Sequence, residues 1–382
     1  ITPVKTTEGV IPNEFIKTID AFDTYHKKKS TVKTLYIKDG IKAIGDYAFA
    51  YSSLSLCDMS ANTVLETIGE GAFYECTQLG SDGGSSVKTI LPNSVKTIAN
   101  KAFMSCTNFN NGGQALPTSL VKIGQEAFMS CGFSGRLTLP EGLERICYSA
   151  LGCNNLTSLH IPASVTTIEE AFWLTEQLGE VTVAEGNQNY TVKNGMLLTK
   201  DLTGLVKIPP MLDSYDIPET VTTIYGTSAD LLNTKELVIP DGVKALGNFA
   251  FAWCEGLETL VVGSGVETWG EETFFVCFDI KSIYLRSENV VSPTTEPFAS
   301  AIFETATLYV PAGTKNAYEL DTYWGRFKNI TEYTTTGISS VKTDSNAPAE
   351  QIYGIAGKRR DILHHGLNIV RSNGKARKVM KN

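Results

Sequence analysis

One short pattern recurs down this chain and leaves it little choice of architecture. Leu159-His-Ile-Pro162 is followed by Val165-Thr-Thr-Ile168 and then by Ala171-Phe172. The order returns as Leu237-Val-Ile-Pro240, Val243-Lys-Ala-Leu246-Gly247, Ala250-Phe251 and Cys254, and in part as Val95-Lys-Thr-Ile98, Ala102-Phe103 and Cys106. The aromatic of the Ala-Phe pair stands at Phe49, Phe73, Phe103, Phe128, Phe172, Phe251 and Phe274, with Leu151 in its place between Phe128 and Phe172. The spacing centres on about 23 residues, with one gap of 79 between Phe172 and Phe251. A unit that short cannot bury its apolar side alone, so neighbours must stack into a solenoid.

Each unit has a physical reading. Leu-x-Ile-Pro alternates apolar and exposed positions, which is strand periodicity, and its Pro removes a donor and stops the ladder. Val-x-x-Ile sends two more apolar side chains inward. Gly45, Gly69, Gly124, Gly247 and Gly270 are expected at tight bends with φ > 0. The Gly-x-x-Ala-Phe-x-x-Cys spacing predicts one helical or 3-10 turn. Small Ala lets adjacent coils approach while Phe fills the interior of its own coil.

The full pattern, Leu-x-Ile-Pro-x-Ser/Gly-Val-x-x-Ile-Gly-x-x-Ala-Phe-x-x-Cys, resembles the leucine-rich repeats of BspA-like surface proteins and extends over 32–333. The resemblance implies a β-rich repeat solenoid, right-handed, with a parallel sheet on one face, belonging to a secreted or surface-exposed protein of Bacteroidetes-like bacteria and often adhesive. It brings no catalytic residues with it. The chain departs from the pattern at Cys147 and Leu151, and the period breaks at about 178–236. Within the break, Tyr190–Leu198 and Leu205–Pro209 read as a hairpin turning at Asn194-Gly195. A degenerate unit follows at Ile217, Val221 and Ile224, and Leu308–Ile330 resembles a closing repeat.

Both ends need covers. Residues 1–31 are expected to cap the first coil, with Phe15, Ile16, Ile19, Phe22 and Tyr25 at helical spacing after Pro12. Residues 334–382 read as a polar linker and a small basic β module with strands near Ile352–Lys358, Gly366–Arg371 and Lys375–Val379. That module resembles a C-terminal secretion or anchoring segment of Bacteroidetes proteins. From Pro348 onward, eight Lys and Arg stand against Glu350 and Asp361, a net +6; the rest of a chain of net charge −8 therefore carries −14. The chain opens at Ile1 without a Met or an apolar leader, so either a targeting segment has been removed or the sequence is trimmed.

Chemistry is sparse. The acidic balance argues against nucleic acid as a partner, and no apolar run reaches the roughly 18–20 residues of a membrane helix. Six of the eight Cys follow the Phe position by two or three residues, which suits a row of buried thiols rather than disulfides. There is no Cys-x-x-Cys pair, no nucleophile elbow, no zinc-protease motif and no phosphate loop, so no catalytic residue, metal site or cofactor is expected. His364-His365 reads as a surface loop. The three Asn-x-Thr sequons read as chance, and nothing specifies an oligomeric state.

A surface remains. The outward strand residues Tyr36, Asp58, Thr138, His160, Thr182, Asp216, Val238, Val261, Tyr284 and Tyr309 are expected to align, one per coil. Solenoids bind through such rows, and Tyr36, His160, Tyr284 and Tyr309 are the candidate ligand-binding residues. The expected role is a non-enzymatic secreted or cell-surface protein that binds a protein or glycan on host or neighbouring cells. A structural spacer of the cell envelope and, third, a hydrolase with its site near 178–236 are the alternatives.

Overall fold

The computed structural model describes residues 9–11, 32–81, 88–113, 115–212 and 214–334, and the backbone of strands between 351 and 381. The capping helix expected within 1–31 and the His364-His365 pair lie outside the described residues. The chain divides into two units, Ile1–Tyr333 and Thr334–Asn382.

The first unit is a β-solenoid of about 13 turns with parallel sheets and few helices. Its most continuous ladder comes from the Val-x-x-Ile segment. Seven two-residue strands, Val10–Ile11 to Thr167–Ile168, pair in parallel in sequence order. The Leu-x-Ile-Pro segments form longer strands, in three separate sheets rather than one. Thr34–Tyr36 pairs with Leu56–Asp58. Asn155–Ile161 lies between Ser134–Thr138 and Glu180–Val183. A five-stranded sheet runs from Glu236–Ile239 to Asn329–Tyr333.

In the regular coils the third side makes the i→i−3 bonds of a 3-10 turn, as when Ala48 N–H donates to Gly45. It does not wind as a helix, because every second amide points along the stack instead. Phe49 N–H donates to Ala72, Phe73 to Ala102, Phe103 to Ala127 and Phe128 to Ala150. The alternation needs positive φ at non-glycine residues, such as Tyr47 and Tyr51, Lys101 and Ser105, Phe249 and Trp253. The five bend glycines are not among the positive-φ residues, which corrects the expectation for them. The role of Gly69, Gly124, Gly247 and Gly270 is close approach: a Cβ on Gly69 would stand 2.7 Å from the Ile44 carbonyl oxygen, and one on Gly247 2.2 Å from the Gly226 nitrogen.

Inside, the phenylalanines stack coil on coil. Ring centroids are 5.4 Å apart for Phe49–Phe73, 5.1 Å for Phe73–Phe103 and 5.6 Å for Phe103–Phe128. The row resumes at Phe251–Phe274 (5.4 Å) and Phe274–Phe298 (5.0 Å). The spacing follows from the strand separation of about 4.8 Å with a small ring offset. All eight cysteines are buried thiols. Six donate to the carbonyl at the Phe position one coil earlier: Cys76 to Phe49, Cys106 to Phe73, Cys131 to Phe103, Cys153 to Phe128, Cys254 to Ala229 and Cys277 to Phe251, at 2.9–3.3 Å. Burial pushes the Cys153 thiol up to about 12 and those of Cys106, Cys131 and Cys254 well above their usual range.

Among the described residues the apolar interior is two cores, and the insertion is the wall between them. Tyr190–Lys193 and Met196–Thr199 form the expected hairpin, turning at Asn194 (φ 51) and Gly195 (φ 81). Met196–Thr199 then pairs with Gly204–Lys207, which continues in parallel to Thr223–Ile224. Period two splits these strands between the cores. Leu197 and Val206 join the N-terminal core, while Met196, Leu198 and Leu205 join the C-terminal one.

The second unit contains a four-stranded antiparallel sheet of Gln351–Gly354, Arg359–Arg360, Gly366–Ser372 and Lys375–Lys381.

Candidate functional site

The candidate residues lie on the Leu-x-Ile-Pro strands, in the registers expected but on three sheets. Tyr36, paired with Asp58, is 50% exposed, with the Lys38 ammonium 5.4 Å from its ring centre. His160 pairs with Thr138 on one side and Thr182 on the other. Its Nδ1 is hydrogen-bonded to the Thr182 hydroxyl at 2.9 Å, which fixes the half-buried ring. Asp216 is exposed and outside any strand.

Only Tyr284 and Tyr309 are brought together. Val238, Val261, Tyr284, Tyr309 and Thr331 form one register row across the five-stranded sheet. The Tyr284 and Tyr309 rings stack with centroids 4.4 Å apart at 9°. Tyr333 meets Tyr284 edge-on at 5.6 Å and donates its hydroxyl to the Leu285 carbonyl. Burial, with the neighbouring Tyr309, raises the Tyr284 phenol. Val261 is buried within the row, so the open part of this face is Val238 at one edge and the tyrosines at the other.

Sequence reasoning missed three members of this cluster. Tyr333 follows the register residue Thr331 by two and shares its face, and Arg286 likewise follows Tyr284. Arg286 Nη1 lies 3.5 Å from Asp241 Oδ2, and Asp241 accepts the Ser264 amide. Applying the period-two rule one step further along each strand finds Tyr333 and Arg286. Asp241 follows a Pro and carries no such signal.

A cleft of about 760 Å³ opens beside the insertion, where a hydrolase site was the third expectation. Leu174, Met211, Leu231 and Trp253 line it together with Glu176, Glu255 and Asp279. The three carboxylates are exposed. Among the described residues, no group of His, Cys, Asp and Glu is placed to hold a metal. No described helix is long and apolar enough to cross a membrane.

Residues 7–82, 81–194 and 211–317 match the family described as BspA type leucine rich repeat region, in six copies. The chain belongs to the BspA-type leucine-rich repeat family. This BspA-type protein is similar in fold to a leucine rich cell surface protein from Faecalibacterium prausnitzii A2-165. The two share 22% identity over 88% of this chain and 86% of that one, with a TM-score of 0.65. It is also similar to a leucine-rich repeat protein from Eubacterium ventriosum ATCC 27560, at 19% identity over 80% and 79% of the two chains and a TM-score of 0.54. No curated protein matches it. Family and fold are those of leucine-rich repeat proteins.

Proposed function

We propose that this BspA-type protein is a non-enzymatic secreted or cell-surface protein that binds a protein or glycan ligand through the C-terminal strand face, with Tyr284 and Tyr309 as its anchors. The observation that carries the reading is the parallel stack of those two rings at 4.4 Å, edged by Tyr333 and by the Arg286–Asp241 pair. Stacked tyrosines present a large apolar surface at low entropic cost, with hydroxyls at hand, and suit both sugar faces and peptide side chains. A rigid sheet holds them, so binding has little ordering to do. Tyr36 and His160, each on another sheet, serve as outlying contacts for an extended ligand.

The test is saturable binding of the purified chain to arrays of glycans and extracellular matrix proteins, repeated with Tyr284→Ala/Tyr309→Ala. Loss of one hot-spot pair lowers affinity about tenfold or more, equivalent to about 1.4 kcal/mol. Unchanged binding by the double variant removes the assignment of this face. Absence of any saturable ligand leaves the spacer role.

A further inference from the structure

Lys207 ends the strand Gly204–Lys207, and Asp230 lies in the turn side of the coil that follows the insertion. Both side chains are fully buried, and they contact each other directly through Nζ and Oδ1. Nζ also donates to the Thr227 carbonyl at 3.1 Å. The other carboxylate oxygen, Oδ2, accepts the backbone N–H of Leu174, at 3.2 Å, from the coil before the insertion. An ammonium has three protons, and among the described residues Nζ has these two acceptors. A charged pair therefore fits this site poorly, because a dry interior penalises both charges and one donor is left over.

From this arrangement we infer that Lys207 and Asp230 condense into an intramolecular amide, a covalent cross-link between the insertion and the next coil. Passing one proton from Nζ to Oδ1 gives a neutral amine facing a neutral carboxylic acid, the form that burial favours by raising the Asp230 carboxyl. The amine lone pair attacks Cγ and forms the N–C bond. Negative charge develops on Oδ2, where the Leu174 N–H already points, as in an oxyanion hole. A proton from the nitrogen passes to the departing Oδ1, the Cγ–Oδ1 bond breaks, and one water leaves. Nothing is oxidised or reduced. Packing holds amine and acid in contact from the moment the coil forms, which supplies the proximity such a condensation needs. The product uses the same partners without surplus: one amide N–H for the Thr227 carbonyl, one carbonyl oxygen for the Leu174 N–H, and no charge.

The bond falls where the repeat is interrupted and the two cores meet, so it replaces by covalent means the coil-to-coil register lost there. The test is a peptide map of the intact, denatured chain, cut with trypsin and with a protease that cleaves after Glu219. The expected product is a branched peptide joining the Lys207 segment to the Asp230 segment, lighter than their sum by one water. Cleavage after Lys207, with recovery of two separate unmodified peptides, overturns the inference. Lys207→Met chains, where they fold, must recover that water in their intact mass relative to wild type after correction for the substitution. A deficit that persists in them places the lost water elsewhere and also overturns it. The wild-type map decides the matter even if the variant does not fold.

Discussion

The regular coils and the insertion bury polar groups by opposite means. In the coils a repeating device does it: six Phe-position carbonyls accept a thiol from the following coil, as Phe73 does from Cys106. Every second turn amide meets a carbonyl one coil on. These groups are neutral, local in the pattern, and copied from unit to unit. The insertion has no unit to copy, and it brings Lys207 and Asp230 into an interior that excludes both from water. A periodic solution is spread over many equivalent bonds, each worth about 1 kcal/mol. The aperiodic one concentrates its consequences in a single contact.

The largest expected effect therefore lies outside the repeats. Lys207→Ala leaves the buried Asp230 carboxyl without its partner, opens a cavity and removes the cross-link, for a loss of about 5 kcal/mol by denaturant melt. Lys207→Met/Asp230→Leu, which removes both polar ends at similar volume, should recover most of that loss and keep only the deficit of the missing cross-link. If the single variant costs no more than a surface substitution, the contrast between the regions fails.

Next comes the ring row. Phe103 is fully buried between Phe73 and Phe128 and also stacks on Phe109 at 4.4 Å. Phe103→Ala is expected to cost about 4 kcal/mol, and a loss below about 1 kcal/mol would mean that the coil collapses around the gap. Cys106→Ala removes one thiol bond and a small volume, for about 1.5 kcal/mol. The thiols should resist a water-soluble disulfide reagent in the folded chain, and all eight should react on unfolding, since burial keeps the reagent from them. Tyr284→Ala, on the open face, should cost about 1 kcal/mol of stability while weakening ligand capture by less than the double variant does.

The same contrast explains what could be read from the sequence. Phe103 and Cys106 were legible because a buried position in one coil is buried in all, and seven copies of the aromatic vote for it. The ladder formed by Val-x-x-Ile was only half legible: its inward residues were clear, its pairing was not, since two-residue strands carry little periodicity of their own. Tyr284 and Tyr309 were legible as outward-facing, but their stacking depended on adjacent strands holding equal register. Lys207 was not legible. It precedes Ile208-Pro209 as His160 precedes Ile161-Pro162, and alternation assigns it to the outside. Alternation tells which face a residue takes, not whether that face is covered, and Gly204–Lys207 is buried along its whole length.

Glu170 offers the finest probe of the boundary, because it belongs to the last coil before the insertion and touches the first coil after it. A Cβ on Gly226 would stand 2.4 Å from Glu170 Oε1, so only glycine admits the carboxylate there. Burial raises the Glu170 carboxyl above its ordinary value near 4.5, against the opposing pull of the Gly226 amide. The folded state then holds a proton that the unfolded chain has already released. Its contribution is full below the unfolded value and is lost as pH rises through the folded one. Glu170→Gln cannot titrate and serves as the reference. Wild type should therefore lose stability relative to the variant as pH rises from about 4 through the weakly acidic range, with a constant difference above it. Calorimetry of both chains across that range measures the slope. Parallel melting curves at every pH would place this carboxylate in water, and the contact between the two regions would then be looser than the geometry at Gly226 requires.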